Sequence, residues 1–399
     1  MAGKGLASDI FIVAAKRTAF GGFGGKLKHL SAVQLGAEAA KGAVAQLPSA
    51  DIIDSVCVGN VSQTTTDCAY LARHVGLKAG ISQDVPMLTV NRLCGSGFQS
   101  IVTGCQEIVV GDSRVVLAGG SEAMSMAPYV VHGVRFGSPL GVNPPMVDSL
   151  WDTLVDNHIK CPMAITAENL GEKYGITKED ADAYALRSQQ LWAKAHEAGQ
   201  FDQEIVPIQI KDRKLGMVDF KVDEHPRPSS TIESISKLKP LFKKGGSVTA
   251  GNASGISDGA GAVVVASGDA VKEHNLKPLA RIVSYAVAGV PPEIMGFGPV
   301  PAIRLALDRA GLTMADMDLI EINEAFSTQF LACQKELGFD MDKANLQGGA
   351  VAMGHPTGAS GSRIMGHLAY ELQRTGKRYA VGSACIGGGQ GIAIIIERA

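Results

Sequence analysis

The sequence predicts an α/β protein made of two similar halves, with a different kind of segment inserted between them. Short apolar runs typical of buried strands alternate with amphipathic helical stretches along most of the chain. Segments near the two ends resemble each other at one constant spacing. The region from Ser125 to Ser247 instead has more charge, proline and methionine, and fewer strand-like runs.

Strand-like and helix-like runs alternate at both ends of the chain. Strands are predicted in the first third at DIFIVAA, SVCVGNV, MLTVN and RVVLAGG, and in the last third at DLIEIN, YAVGSA and GIAIIIE. Helical periodicity is present in AVQLGAEAAKGAVAQL, GFQSIVTGCQEIVV, VPAIRLALDRAG and GSRIMGHLAYELQRTG. This alternation is typical of buried sheets whose faces are covered by helices.

A spacing of 264 residues relates the two ends of the chain. DSVCVGN, CGSGFQSI and RVVLAGG begin at positions 54, 94 and 114, and match DLIEINE, GASGSRIM and RYAVGSA, which begin at positions 318, 358 and 378. A constant spacing over three separate segments indicates that one unit is duplicated. The predicted domains are an N-terminal half at 1–123, an inserted loop or lid domain at 124–247, a return strand at 248–269 that completes the first half, and a C-terminal half at 270–399.

The inserted segment contains one strong helix signal, TKEDADAYALRSQQLWAKAHEAG. Thr177 is suited to cap its start, and Gly199 is suited to end it. Long insertions on α/β scaffolds often cover a binding site, so a lid is one interpretation of this segment.

Composition restricts the class of protein. The chain has 399 residues, of which 46% are hydrophobic and 19% charged, which indicates a globular protein of about two or three domains. A net charge of −2 gives no reason to expect nucleic acid or an acidic membrane surface as a partner. The longest apolar runs, GAVVVA and GIAIII, are too short to span a bilayer, so no membrane span is expected.

The cysteines and the basic N-terminal region bear on location and on metal binding. There is no CxxC pair and no His/Cys spacing typical of zinc, so no metal is expected. An odd number of cysteines in a long chain favours a reducing compartment. Lys4, Lys16 and Arg17 belong to a basic bias that suits mitochondrial import. The same stretch, DIFIVAAKRTAF, is also typical of a first core strand that ends in a basic turn.

Cys94 lies between a predicted strand and a predicted helix in TVNRLCGSGFQSI. Gly95 and Gly97 permit a sharp turn of the kind that projects a nucleophile. A cysteine at a helix N-terminus has a favoured thiolate, so a lowered pKa is expected. The alternative is a small buried cysteine beside a glycine turn.

Three further residues have both a catalytic and a structural interpretation. His355 precedes a proline in GGAVAMGHPTGASGSR, so it lies on a loop, as a base or as a structural histidine. Asn323 follows a strand in EINEAFS, and either orients water or an oxyanion or caps the next helix. Cys385 in SACIGGGQG is either core filler or part of a backbone that lies against a ligand. In the repeat, position 94 pairs with 358, so a pseudo-twofold axis is expected to bring these residues together.

Four segments together resemble the thiolases, and within them the branch of mitochondrial 3-ketoacyl-CoA thiolases. They are NRLCGSGFQS, NEAF, GGAVAMGHPTGASGSR and SACIGGGQG, and they occur in this order. The likeness extends from Asp9 to Glu397. It implies the thiolase fold, in which two duplicated α/β halves with mixed five-stranded sheets pack in layers, with an inserted loop domain.

The resemblance implies a role for each residue of the site. Cys94 would carry the acyl group as a thioester, and His355 would activate it by taking its proton. Cys385 would move a proton to or from the α-carbon of acetyl-CoA. Asn323 would hold the water that forms one oxyanion hole together with His355. Backbone N–H groups of Cys94 and Gly387 would form the other.

Contacts with CoA are also implied. Ser230 and Ser254 match positions that contact CoA, and Arg227 matches the basic residue at its nucleotide end. Met163 and Phe326 would line the pantetheine or acyl channel. Many thiolases have histidine directly before the residue equivalent to Met163, whereas this chain has proline there, so the acyl chain length is left open.

The implied reaction is CoA-dependent cleavage of 3-oxoacyl-CoA to acetyl-CoA and a shortened acyl-CoA, and its reverse, in fatty-acid β-oxidation. An acetyl-CoA C-acetyltransferase that prefers acetoacetyl-CoA is the alternative. The substrates are CoA, acyl-CoA and acetyl-CoA, no cofactor is expected, and a homodimer or homotetramer in the mitochondrial matrix is implied. A ketoacyl synthase, a hydroxymethylglutaryl-CoA synthase, a cysteine hydrolase and an acyl-CoA carrier are rival classes. Cys385 argues against the ketoacyl synthase, and a hydrolase would not need it.

Overall fold

A computed structural model describes residue 6 and residues 8–212 and 214–399. The α-helices are α1 Ala32–Val44, α2 Leu71–Lys78, α3 Ser96–Val110, α4 Ser149–Thr153, α5 Met163–Tyr174, α6 Lys178–Glu197, α7 Ile232–Ser236, α8 Gly268–Glu273, α9 Pro299–Ala310, α10 Ser327–Leu337, α11 Ala350–Met353 and α12 Ser360–Thr375. The strands are β1 Ile10–Thr18, β2 Gly21–Gly22, β3 Ser55–Gly59, β4 Met87–Val90, β5 Val115–Ala123, β6 Tyr129–Val131, β7 Met146–Asp148, β8 Val155–Asp156, β9 Cys161–Pro162, β10 Ile205–Val206, β11 Ile208–Asp212, β12 Gly216–Phe220, β13 Ser257–Ser267, β14 Ala280–Gly289, β15 Leu319–Ile322, β16 Tyr379–Ile386 and β17 Gln390–Arg398.

One mixed sheet runs through both halves of the described chain. Its main path has the order β15–β16–β17–β14–β1–β13–β5–β3–β4. In the N-terminal half, β1, β13 and β5 pair antiparallel, whereas β5, β3 and β4 pair parallel. The strands β14, β17, β16 and β15 repeat this pattern in the C-terminal half. The two halves join where Phe11 pairs with Arg281 and Ile12 pairs with Ala280.

Helices cover both faces of the sheet and fill the space between its halves. The helices α1 and α2 pack on one face of the N-terminal strands, and α9 and α10 pack on the C-terminal strands. The helices α3 and α12 pack against each other and against strands of both halves. The predicted α/β architecture is therefore confirmed. The domain boundaries proposed from the sequence stay a prediction.

Equivalent hydrogen bonds show the internal duplication. Oδ2 of Asp54 accepts from the backbone N–H groups of Arg114 and Val115 at the start of β5. Oδ2 of Asp318 accepts from the equivalent N–H groups at the start of β16. The same local contact therefore sets the register of two strands that are 264 residues apart.

The C-terminal half differs in detail from the predicted five strands. Where the N-terminal half has β4, the described chain of the C-terminal half has a single parallel bridge between Ile320 and Ala344. The next residue, Asn345, has a φ of 47° and so leaves the extended conformation. Its side-chain amide exchanges two hydrogen bonds with the backbone of Ile322, which replace those of a strand.

Two segments form the local structure that their sequences predict. The helix α6 begins with a capping box, in which Thr177 Oγ1 accepts from Asp180 N and Asp180 Oδ2 accepts from Thr177 N. The strand β1 has a central place in the sheet, as expected for a first core strand. Arg17 near its end is buried and makes ion pairs with Glu204 and Asp223, so this basic residue stabilises the fold. Lys4 lies outside the described residues.

The first turns of α3 and α12 pack backbone against backbone. A Cβ added to Gly361 would lie 2.1 Å from the backbone nitrogen of Phe98, and one added to Gly97 would lie 2.7 Å from that of Ser362. Gly97 and Gly361 are equivalent positions of the repeat. Because no side chain fits between them, glycine at both positions allows the helix starts of the two halves to meet.

We expect Gly361→Ala to lower the free energy of unfolding by about 1–3 kcal/mol, because the methyl group would have to displace backbone. Gly104→Ala in α3 is the matched control, since its methyl group would meet side-chain methyl groups of Val116 and Val265 at 3.1 Å. Urea unfolding of both variants measures the difference. Equal stability of the two variants would contradict a backbone contact that depends on glycine.

Candidate active site

Cys94 is presented by a strained turn between β4 and α3. The preceding residue, Leu93, has a φ of 46°, a left-handed conformation that is uncommon for a bulky side chain. The turn is closed by hydrogen bonds from Gly95 N to Arg92 O and from Ser96 N to Leu93 O. The sequence therefore folds into the sharp strand-to-helix turn that was predicted for Cys94.

Burial sets the proton state of Cys94. It raises the pKa of the Cys94 thiol to about 11, although hydrogen bonds from the backbone N–H groups of Gly387 and Cys94 itself lower the pKa. The expectation of a lowered pKa from the helix N-terminus is therefore wrong. The resting group is a thiol, which needs a base to become a nucleophile.

His355 has a fixed orientation and a neutral ring. Its Nδ1 lies 2.6 Å from Ser360 Oγ, and that hydroxyl donates to the carbonyl oxygen of Pro356. Nδ1–H is therefore the donor to Ser360, which leaves the lone pair on Nε2, 3.3 Å from Asn323 Nδ2. Burial and the nearby charge of Arg363 lower the pKa of His355 to about 4. In this tautomer Nε2 accepts a long hydrogen bond from Asn323 Nδ2, and a neutral imidazole with that acceptor nitrogen is suited to act as a base.

Asn323 is held by the residue that follows it. Glu324 is fully buried and accepts hydrogen bonds from Tyr184 Oη and Ser188 Oγ on α6, from Asn345 Nδ2 and from the backbone of Val351. Asn323 Oδ1 is buried and has no hydrogen-bond partner among the described residues. A buried amide oxygen without a partner is suited to a bound water or ligand group.

Cys385 lies at the end of β16, behind the wall of the cavity that Cys94 lines. It is fully buried and packs with Met295, Ala325, Met163 and Phe326. Burial raises the pKa of Cys385 well above the usual value, and negative charge on the neighbouring Cys94 raises it further whenever Cys94 is ionised. Cys385 is therefore a protonated thiol that interacts electrostatically with Cys94.

A cavity of about 230 Å³ opens beside these groups. Cys94 and His355 both line it, and most of the other lining residues are apolar. Residues of the inserted segment contribute Trp151, Leu154 and Met163 to the wall. A thiol, a neutral base and an apolar channel are suited to acyl transfer through a cysteine.

Comparison with known proteins gives the family. Residues 10–269 match the thiolase N-terminal domain, and residues 276–398 match the thiolase C-terminal domain. The chain belongs to the thiolase family.

This thiolase matches relatives and solved structures over nearly its whole length. It is 58% identical over 393 residues to the mitochondrial 3-ketoacyl-CoA thiolase of Bos taurus, with 98% of this chain and 99% of that protein covered. It is 47% identical over 395 residues to an acetyl-CoA acetyltransferase of Pseudomonas aeruginosa, with 98% and 99% covered. The crystal structure of human mitochondrial 3-ketoacyl-CoA thiolase in complex with CoA matches with a TM-score of 0.98 at 56% identity, over 100% of both chains. The predicted thiolase fold is confirmed.

The structure of this thiolase brings most, but not all, of the predicted site residues to the cavity. Ser254, Met163 and Phe326 line the cavity beside Cys94 and His355. Gly387 donates its backbone N–H to Cys94, and Asn323 Nδ2 lies 3.3 Å from Nε2 of His355.

Arg227 and Ser230 do not line the cavity in the described chain. Arg227 is exposed, and its guanidinium donates to nearby backbone carbonyl groups, including that of His225 at 2.8 Å. The ring of His225 occupies the space beside Gly255 in the cavity wall, so this segment borders the cavity from outside. Contact between Arg227 or Ser230 and CoA stays a prediction.

Sequence reasoning missed several residues of this site. Met295, Trp151, Leu154 and Phe242 line the cavity, yet their sequence patterns are those of ordinary apolar residues. Glu122 is fully buried next to the loop of His355. The sequence does contain a signal for it, because Glu122 comes two residues after the apolar run RVVLAGG, where a buried carboxylate is unusual.

The described residues contain neither a cluster of metal ligands nor a membrane-spanning helix. Within the described residues, no three or more histidine, cysteine, aspartate or glutamate side chains are grouped as metal ligands. Among those same residues, no helix has the length and apolar character needed to cross a bilayer.

The low pKa of His355 predicts a pH dependence of stability. Its pKa is about 4 in the folded chain and about 6.5 in the unfolded chain, so the unfolded chain binds the proton more readily between these values. Preferential protonation of His355 in the unfolded chain has little effect above pH 6.5. As the pH falls below this value, it lowers the free energy of unfolding, by about 2 kcal/mol at pH 5. His355→Asn should therefore lose less stability than the wild type between pH 7 and pH 5. Urea unfolding at each pH measures this, with the exposed His132→Asn as control. Parallel curves for wild type and His355→Asn would refute the neutral buried imidazole.

Proposed function

We propose that this thiolase is an acyltransferase that cleaves 3-oxoacyl-CoA with CoA, yields acetyl-CoA and a shortened acyl-CoA, and catalyses the reverse condensation. The observation that carries the proposal is an apolar cavity lined by the Cys94 thiol and the neutral imidazole of His355, with a second protonated thiol, Cys385, packed behind its wall. The relatives named 3-ketoacyl-CoA thiolase are 58% identical, against 47% for an acetyl-CoA acetyltransferase. This difference favours β-oxidation over the alternative that prefers acetoacetyl-CoA.

In the first half-reaction, His355 takes the proton of Cys94, and the thiolate attacks the 3-oxo carbon. The high pKa of the thiol makes this base necessary. The neutral ring and its Nε2 lone pair supply it at any pH well above 4. The carbonyl oxygen becomes an oxyanion, so hydrogen-bond donors are needed beside it.

Two sets of donors are available for developing negative charge. The backbone N–H groups of Cys94 and Gly387 already reach the sulfur of Cys94, so they lie beside the atoms that react. Asn323 and His355 form a second set, in which Asn323 would hold a water. One set serves the tetrahedral intermediate and the other serves the enolate of acetyl-CoA.

Cys385 completes the carbon chemistry. Breaking the bond between the α-carbon and the 3-oxo carbon leaves an enolate, which must gain a proton. A thiol with a raised pKa holds the required proton at neutral pH. The Cys385 thiolate left by this step takes the proton of the CoA thiol, whose sulfur attacks the acyl group on Cys94 and releases the shortened acyl-CoA. In the condensation these steps run backwards, so Cys385 first gives its proton to the CoA thiolate released when Cys94 is acylated, and then takes the proton from acetyl-CoA. A cysteine hydrolase would not need this second thiol.

The substrates are CoA thioesters, and we propose that the cavity holds their pantetheine and acyl parts. Met163 and Phe326 are positioned as walls, and Ser254 lies at the same cavity. Arg227 and Ser230 are proposed to contact the nucleotide end of CoA outside the cavity.

We propose the mitochondrial matrix as the location and a homodimer or homotetramer as the state in solution. The names of the 58% identical relatives support the location. Exposed apolar residues support an oligomer, because Phe136 and Leu140 between β6 and β7 are fully exposed in the single chain. The edge strand β4 also exposes Leu88.

Thiolysis assays with a series of 3-oxoacyl-CoA chain lengths test the proposed function. We expect CoA-dependent release of acetyl-CoA, with a higher kcat/KM for longer substrates than for acetoacetyl-CoA. A preference for acetoacetyl-CoA would establish the alternative function. Acyl-CoA hydrolysis without a requirement for CoA would instead indicate a cysteine hydrolase.

Cys385→Ala separates the two thiols. We expect this variant to form the acyl-enzyme on Cys94 from acyl-CoA, but to lose condensation by about 10²–10⁴-fold, since it lacks the proton carrier. Intact-protein mass spectrometry measures the first activity, and the formation of 3-oxoacyl-CoA measures the second. Cys105→Ala, a buried cysteine within α3, is the matched control and should retain both. Normal condensation by Cys385→Ala would exclude the role assigned to Cys385.

A further inference from the structure

Glu122, at the end of β5 in the N-terminal half, binds the loop of His355 from the C-terminal half. We propose that Glu122 is a positioning residue, which fixes the His355 loop relative to Cys94 and thereby sets the geometry of proton transfer between them. The proposal deepens the proposed function and rests on it.

The carboxylate of Glu122 collects five donors from two loops. It is fully buried, and each of its two oxygens has more than one partner. Oε1 accepts from Asn60 Nδ2 at 3.1 Å and from Ser62 N at 3.0 Å; Oε2 accepts from Val61 N at 3.0 Å, Thr357 Oγ1 at 2.9 Å and Gly358 N at 2.9 Å.

The second loop is the one that carries the base. Thr357 and Gly358 follow His355 by two and three residues, and Gly358 is the counterpart of Cys94 in the repeat. Thr357 also lines the cavity beside Cys94 and His355. Space at this junction is minimal, because a Cβ added to Gly120 would lie 1.8 Å from the carbonyl oxygen of Gly358. Because the His355 loop packs this closely against β5, a donor group in place of the Glu122 carboxylate would displace the loop.

The negative charge of Glu122 is what suits it to this place. Five donors converge on the two oxygens, so an amide in the same position would direct its own N–H groups at N–H or O–H groups. Burial raises the pKa of Glu122 to about 7, although the surrounding donors lower it. The charge of Glu122 acts on Cys94, and titratable or charged groups also lie on the elements that pack against β5: Asp258 on β13, and Arg363 and His367 on α12. His355 lies on the loop that Glu122 binds.

Protonation of Glu122 has the same consequence as replacing its carboxylate by an amide. Below pH 7 an added O–H group enters a cluster that consists of donors, which weakens the hold on the loop. The kcat for thiolysis should therefore rise with pH through about 7. The kcat rises rather than falls with pH because the ionised carboxylate of Glu122 accepts all five hydrogen bonds, whereas the protonated acid does not.

The test is steady-state thiolysis by Glu122→Gln between pH 6 and pH 9. We expect kcat to fall by about 10²-fold, because a displacement of about 1 Å between reacting groups has this effect. The KM for CoA should stay within about 2-fold, since Glu122 itself does not line the cavity. The limb of the kcat profile at pH 7 should disappear. Glu371→Gln is the matched control, since Glu371 is a buried carboxylate that accepts from Gln347 and Arg374.

A second variant keeps the proposal open to refutation if Glu122→Gln does not fold. Thr357→Val preserves shape and removes one donor, so a smaller loss of kcat at unchanged KM is expected. Wild-type kcat in either variant, or a pH 7 limb that persists in Glu122→Gln, overturns the positioning role. An absence of thiolysis in the wild type would instead refute the proposed function itself.

Discussion

The contact between the first turns of α3 and α12 is the constraint on which the site depends. Glycines at equivalent positions of the two halves, Gly97 and Gly361, let backbone meet backbone. Each helix start follows a segment of the candidate active site, the turn of Cys94 in one half and the loop of His355 in the other. Close packing at this point makes a single cavity out of two distant parts of the chain.

The chemistry of the site comes from burial more than from charge. Removal from water raises the pKa of both thiols and lowers that of the imidazole, so all three groups are neutral at rest. Each is then in the form that its proposed step needs: a thiol to be activated, a base to accept, and an acid to donate. One of the two proposed sets of oxyanion donors consists of backbone N–H groups, which cost little reorganisation when charge develops.

Buried carboxylates hold the loops that carry these groups. Glu122 binds the loop of His355, Glu324 fixes the segment next to Asn323, and Glu168 accepts from the backbone of Ser247 and Val248. Glu122 and Glu168 each satisfy more than one backbone N–H group that a loop would otherwise leave unpaired, whereas Glu324 accepts from one backbone N–H group and from three side chains. This thiolase therefore uses acidic residues inside the fold to position neutral groups at the cavity.

Much of the fold and of the candidate site was determined by the sequence itself. Strand and helix periods, the 264-residue repeat and the capping residues of α6 depend on neighbours in the chain, so they can be read from local pattern. Cys94, His355, Asn323 and Cys385 were found because each lies at a strand end or on a glycine-rich loop, and four motifs in order resemble one family.

Tertiary structure alone decided the rest. The pKa of Cys94 rises because burial by distant residues outweighs the local helix terminus. The side chain of Asn345 replaces a strand through contacts with Ile322, and Arg227 lies outside the cavity rather than in its wall. The interest of Glu122 depends on its hydrogen bonds to the His355 loop, which at Gly358 is 236 residues away in the sequence. Burial, and contacts between residues that are far apart in the sequence, depend on distances in the folded chain. Local residue patterns do not contain those distances.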